Sequence, residues 1–229
     1  MPRALLAVLV GATVGLSSSA AAQVCNGVAS FAQGAVQLFG SVGFSNNAKS
    51  FGGGVGFGGS GLFGQATIGR TSYDNIDGSS RLLGFALGYQ VPLDRDRSVY
   101  VCPGVSIGFA SGPNNVDVLG NGSVVLDLRE TDYSFGLAFG GFASQSPGTR
   151  IVPTGSLALV SGTLKTTDDV SGASNSQHET FALVGFGVGL LFNQVFALRP
   201  SVAVLIGLDD TSTTFGATVS VNFGRKSHE

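Results

Sequence analysis

The sequence predicts an all-β protein, an antiparallel up-and-down barrel of about ten strands that crosses a membrane, on three observations. Charged residues make up only 11% of the chain and hydrophobic residues 43%, whereas ordinary soluble proteins carry about 25% charged residues. Mean hydropathy is +0.34, yet beyond the N-terminus no apolar run approaches the roughly 20 residues a spanning helix needs. The third observation is alternation. Segments between turn residues set aromatic and β-branched side chains on one face and Gly, Ala, Ser and Thr on the other, because side chains along a strand alternate faces. Lipid tolerates no open sheet edge, so short amphipathic strands must close into a ring. A soluble β-sandwich or lipocalin-like barrel also alternates. Its water-facing side would be more charged than the small-residue face found here.

Ten segments carry the alternation. The first, about 35–45, sets Val36, Leu38, Val42 and Phe44 against Gln37, Ser41 and Ser45. Asn46-Asn47 turns the chain into 50–58, with Phe51, Val55 and Phe57 in register among glycines. Gly59-Ser60-Gly61 leads to 62–72, the least regular segment, since Phe63 shares a side with Gln65 and Thr67. Segment 81–91 places Leu83, Phe85, Leu87, Tyr89 and Val91 on one face. Segment 98–110 does the same with Val99, Val101, Val105, Ile107 and Phe109, opposite a face that includes Cys102.

The sixth segment, 129–143, presents Tyr133, Phe135, Leu137 and Phe139 opposite Asp132, Ser134, Gly136 and Ala138. Segments 150–163, 180–192, 196–208 and 214–223 complete the set. Tyr89 and Tyr133 suit an interfacial aromatic girdle. Connections after odd segments (46–49, 73–80, 111–128, 165–179, 209–213) read as longer and polar, those after even ones (59–61, 92–97, 144–149, 193–195) as short. That asymmetry, with an even strand count, is expected of a barrel with both termini in the periplasm. Eight strands, with the first hairpin folded otherwise, is the alternative.

The N-terminus reads as a cleaved signal peptide over residues 1–22: Arg3, an apolar stretch from Ala4 to Leu16, then Ala20-Ala21-Ala22 before a cut ahead of Gln23. An uncleaved anchor would be too short. Lipoprotein processing wants a small residue directly before the cysteine, whereas Cys25 follows Gln23-Val24. About 207 residues remain, one domain's length. They divide into a segment 23–34 at the periplasmic mouth, the barrel 35–223 and a short periplasmic tail 224–229, with no sign of a peptidoglycan-binding domain.

The last segment ends the barrel: Thr214-Phe-Gly-Ala-Thr-Val-Ser-Val-Asn-Phe223. Its pattern of Thr214, Gly216, Val219, Val221 and Phe223 resembles the C-terminal strand by which bacterial outer-membrane barrels are recognised by their insertion machinery. The whole chain resembles the small single-domain outer-membrane barrels of Gram-negative bacteria, the OmpA/OmpX-like grouping. The resemblance implies residence in the outer membrane, with lipid and the insertion machinery as partners. It implies a structural, protective or adhesive role, or narrow passage, and names no extracellular ligand.

Few residues suggest chemistry. Two cysteines in an exported chain point to one disulfide, Cys25–Cys102, rather than a metal site. The bond would act as a staple on the barrel or hold a small plug at its mouth; two unpaired thiols are the third possibility. Asp132 and Arg199 are expected to face the lumen, Asp132 near the extracellular end of its strand and Arg199 near the periplasmic end, so that direct pairing is not expected. His178, with Asp168, Asp169 and Glu179, falls in one outer loop and offers the sole hint of a rim hydrolase. A mobile loop supplies no rigid shell for acid–base work, so no enzyme is expected. Gly52-Gly-Gly-Val-Gly-Phe-Gly-Gly59 lacks the following helix that a phosphate-binding loop requires, and no cofactor is expected. The net charge is −2 and the first basic cluster is Arg225-Lys226, so nucleic acid is excluded as a partner. A surface barrel with a narrow lumen, a small pore and a rim hydrolase are the three functional expectations, in that order.

Overall fold

The computed structural model describes Cys25 and residues 35–59, 61–74, 76–112, 115–117, 123–146, 148–168, 173–193, 195–207 and 212–223. Residues 1–22, expected to be a signal peptide, most of the segment 23–34 and the tail 224–229 lie outside the described residues.

The described residues form ten long strands in up-and-down order. They are β1 (Ala35–Ser45), β2 (Ala48–Gly59), β3 (Leu62–Tyr73), β4 (Ile76–Tyr89) and β5 (Val99–Ser111). There follow β6 (Ser123–Gly141), β7 (Thr149–Asp168), β8 (Ser174–Phe192), β9 (Phe196–Ile206) and β10 (Ser212–Phe223). Each pairs antiparallel with the next, and β10 pairs back onto β1 from Val36 opposite Phe223 to Phe44 opposite Phe215. The sheet is a closed ring, so no edge is left unpaired. Short ribbons at Val91–Pro92, Asn115–Asp117 and Ser144–Ser146 pair onto β5, β6 and β7.

The two faces divide as the alternation requires. Ile68, Phe215, Phe135 and Leu159 are 60–66% exposed on the outside of the ring, and the outward residues of all ten strands add to the same apolar belt. Removing apolar surface from water is worth about 25 cal/mol per Å², so this belt belongs in hydrocarbon. Where a turn must reverse sharply, backbone freedom decides the residue. Gly61 has φ +89°, and a side chain there would meet the Tyr89 ring at 3.2 Å.

Two expectations are corrected. Residues 76–80, 123–128 and 165–168, read as loop, are strand, and β8 begins at Ser174. The asymmetry between the two ends of the barrel is therefore expressed as strand extension more than as loop length. The inside is also less uniformly small than expected. Leu128, Val152, Val160, Leu164, Phe181, Leu183 and Leu191 all point inward and are buried.

Candidate functional site in the barrel lumen

At the end of the ring where β1 starts and β10 stops, a buried cluster is built around a disulfide. Cys25 and Cys102 are disulfide-bonded, with Cα atoms 6.5 Å apart, and each is 1% exposed. Phe63 and Ala138 are buried against them, with Tyr100 packed alongside. Phe63, the odd residue in the alternation of β3, is thus an inward plug residue. It lies flat over Gly88, where an added Cβ would run into its ring. The bond places Cys25 inside this mouth.

Asp132 points into the lumen and is buried. It stands mid-strand rather than near an end, because β6 runs back to Ser123. Room for its carboxylate comes from Gly108, directly opposite on β5, where a Cβ would lie 2.5 Å from Asp132 Oδ2. Glu130, two residues earlier on the same inward face, is 3% exposed. Neither Glu130 oxygen nor Asp132 Oδ1 has a hydrogen-bond partner among the described residues. Glu179 of β8 faces inward too, opposite Gly162, whose other neighbour is Asp132. Three carboxylates therefore share one sector of the lumen. Glu130 was legible within the segment 129–143, two residues from Asp132 at the strand period, but the sequence reading did not single it out. No group of three His, Cys, Asp or Glu among the described residues is arranged to hold a metal ion.

Arg199 enters the lumen from β9, in the half nearer the disulfide. Its Nη2 donates to Thr154 Oγ1 at 3.3 Å, and it makes no ion pair with Asp132 among the described residues. Elsewhere the inner wall carries neutral contacts between neighbouring strands, such as Ser106 Oγ to Ser134 Oγ at 2.6 Å between β5 and β6.

His178 is not in a loop. It lies on β8 opposite Thr163 of β7 and faces outward. Its Nδ1 is 2.8 Å from Thr163 Oγ1 and its Nε2 3.2 Å from Ser161 Oγ. Asp168 ends β7, while Asp169 lies outside the described residues. In β10, Phe215, Val219 and Phe223 face out, and Thr214 and Gly216 face in. Gly216 lies opposite Gly43, and Val221 opposite Leu38, across the seam that closes the ring.

Neither a family model nor a curated protein sequence matches the chain. Solved structures do. The translocator domain of the autotransporter NalP from Neisseria meningitidis superposes with a TM-score of 0.62 at 13% identity, covering 97% of each chain. The β domain of the Bordetella autotransporter BrkA gives 0.53 at 13% identity, over 85% of this chain and 100% of that one. The fold is that of an outer-membrane β-barrel. The N-terminal barrel domain of Pseudomonas aeruginosa OprF is also similar, at 18% identity and a TM-score of 0.38, over 83% of this chain and 100% of that one.

Proposed function

We propose that the protein is a non-enzymatic barrel of the bacterial outer membrane, with both termini periplasmic and a structural, surface-protective or adhesive role. The observation that carries the reading is the filled lumen. Val152, Leu191, Leu128 and Phe181 occupy the interior with at most 2% exposure, and the disulfide holds Cys25 in one mouth. Narrow barrels are filled by side chains rather than by water. A molecule whose interior is packed acts through its outer end and its lipid face. Single-channel recording in planar bilayers tests this: the expected result is no stable step conductance, and steps of reproducible size would favour a pore instead. The small-pore alternative draws support from the Glu130, Asp132 and Glu179 sector, which would select cations.

The rim-hydrolase reading has one geometric support, the contact between Ser161 Oγ and His178 Nε2. A general base needs a third group that stabilises the imidazolium. At Nδ1 that place is taken by the Thr163 hydroxyl, which carries no charge, and the cluster faces outward without an enclosing shell. Incubation of the folded barrel with unstructured polypeptide and with ester substrates is expected to give no turnover; turnover abolished by H178A would overturn the assignment.

A further inference from the structure

The outer face of β3 to β6 carries a second feature, which no linear cluster announces. Arg70 of β3 lies directly opposite Arg81 of β4, Arg81 opposite Ser111 of β5, and Ser111 opposite Arg129 of β6. All three arginines are exposed and face outward. Like charges placed directly opposite on a sheet repel, so the pairing of Arg70 with Arg81 is unfavourable unless an anion sits between them. Ser111 is small, and the gap it leaves between Arg81 and Arg129 is part of a groove of about 790 Å³. Arg70 Nε donates to Ser79 Oγ at 2.6 Å, and Arg129 Nε pairs with Asp127 at 2.9 Å. Asp127 and Glu130 also line the groove, so its three arginines leave one positive charge in excess. Arg81 has no ion-pair partner among the described residues.

One strand period below the arginines lie Ile68, Leu83 and Phe109, at the upper border of the apolar belt. The groove is therefore cationic above and greasy below. We propose that it binds a phosphorylated membrane lipid. The guanidinium groups of Arg70, Arg81 and Arg129 hold the headgroup phosphate, and the acyl chains lie along Leu83 and Phe109. Guanidinium groups match phosphate oxygens two at a time. A soluble polyanion would meet the same charges but would gain nothing from the apolar floor. The groove is at the end away from the chain termini, which is the outer leaflet if the proposed orientation holds. The binding itself depends neither on that orientation nor on a closed lumen.

The test uses the full mature barrel in nanodiscs that contain equal amounts of diphosphorylated lipid A and its dephosphorylated form, with native mass spectrometry after transfer to detergent. The wild type is expected to retain the diphosphorylated lipid at least tenfold over the other. R81Q/R129Q is expected to lose most of that preference, since each cation near an anionic surface contributes about fivefold. R95Q, on the turn at the opposite end, is expected to keep it. The wild-type measurement stands alone should the double variant fail to fold, and R70Q gives a milder second variant. Equal retention of the two lipids by the wild type overturns the proposal. So does a preference that survives R81Q/R129Q, or a loss of binding to soluble heparin with lipid selectivity unchanged.

Discussion

Arg199 reaches across an entire strand to Thr154: its Nη2 lies 3.3 Å from Thr154 Oγ1 on β7, although Arg199 itself belongs to β9. The strand between them allows this because Gly187 of β8 stands opposite both Thr154 and Ser201. A Cβ at Gly187 would lie 2.8 Å from Arg199 Nε and 3.1 Å from Thr154 Oγ1. The glycine is the floor on which the guanidinium rests, and the contact ties three consecutive strands together from inside.

Filling that floor should displace the guanidinium. G187V is expected to destabilise the folded barrel by about 1–3 kcal/mol through overpacking and to break the Thr154 contact. Adding T154A to G187V should then cost little more, because residues that share one contact are not additive. Denaturant unfolding of the single and double variants in detergent checks this. Additive losses would mean that the bridge contributes nothing.

At the disulfide mouth the same logic applies with a stiffer partner. Phe63 covers Gly88 and is itself packed against Cys25, Cys102 and Ala138, so its ring has nowhere to retreat. G88A is expected to lower stability by about 1–3 kcal/mol. F63L/G88A should recover part of that loss, although F63L alone is destabilising. Thermal unfolding of the four proteins makes a double-mutant cycle whose coupling has the opposite sign to a simple sum of losses.

Much of the ring was legible because lipid enforces the code. Wherever outward residues meet hydrocarbon, as at Leu83, Phe85, Leu87 and Tyr89 of β4, each must be apolar and the period-two signal is clean. The signal stops at the membrane border while the strand does not. In β6 the outward residues beyond Tyr133 are Thr131, Arg129 and Asp127, which look like loop to any pattern of hydrophobicity. The inside was obscured for a different reason. Segments such as Phe181-Ala-Leu-Val184 are apolar on both faces, one towards lipid and one towards the packed lumen, and alternation cannot separate them.

Site residues were legible only as parities. Asp132 and Arg199 have inward positions that can be read by counting, but their neighbours cannot. Gly108 and Gly187 matter because they stand beside a charge on an adjacent strand, and register across strands is not written in either strand alone. Arg70, Arg81 and Arg129 are far apart in sequence and are brought into one row only by that register.

Removing the disulfide tests its structural weight. Cys25 and Cys102 are 77 residues apart, and loop-closure entropy for a span of that size gives about 4 kcal/mol. C25S/C102S is expected to shift the denaturant midpoint downward by an amount of that order while the β-sheet circular dichroism spectrum at low denaturant stays unchanged. If the segment it holds also obstructs the mouth, the double variant should show brief current steps in planar bilayers that the oxidised protein lacks. An unchanged midpoint would show that Phe63 and Ala138 hold the mouth without the bond.

The turn between β4 and β5 should make part of the stability depend on pH. Asp94 accepts from Ser98 Oγ at 2.5 Å, from Ser98 N at 2.9 Å and from Val99 N at 3.0 Å. The Ser98 hydroxyl first, and the Val99 amide next, hold its carboxyl below the usual carboxylate range. A carboxylate that is more acidic in the folded than in the unfolded chain stabilises the fold above the unfolded value, near 3.9. The contribution fades as pH falls through the lower, folded value. The unfolding free energy should therefore drop on acidification below about pH 4, and D94N should flatten that part of the profile without altering the plateau's slope near neutrality. Because Asp94 is solvent-exposed, the effect should be modest and should shrink with added salt. A D94N profile parallel to the wild type across the acid range would assign the pH dependence to other carboxylates.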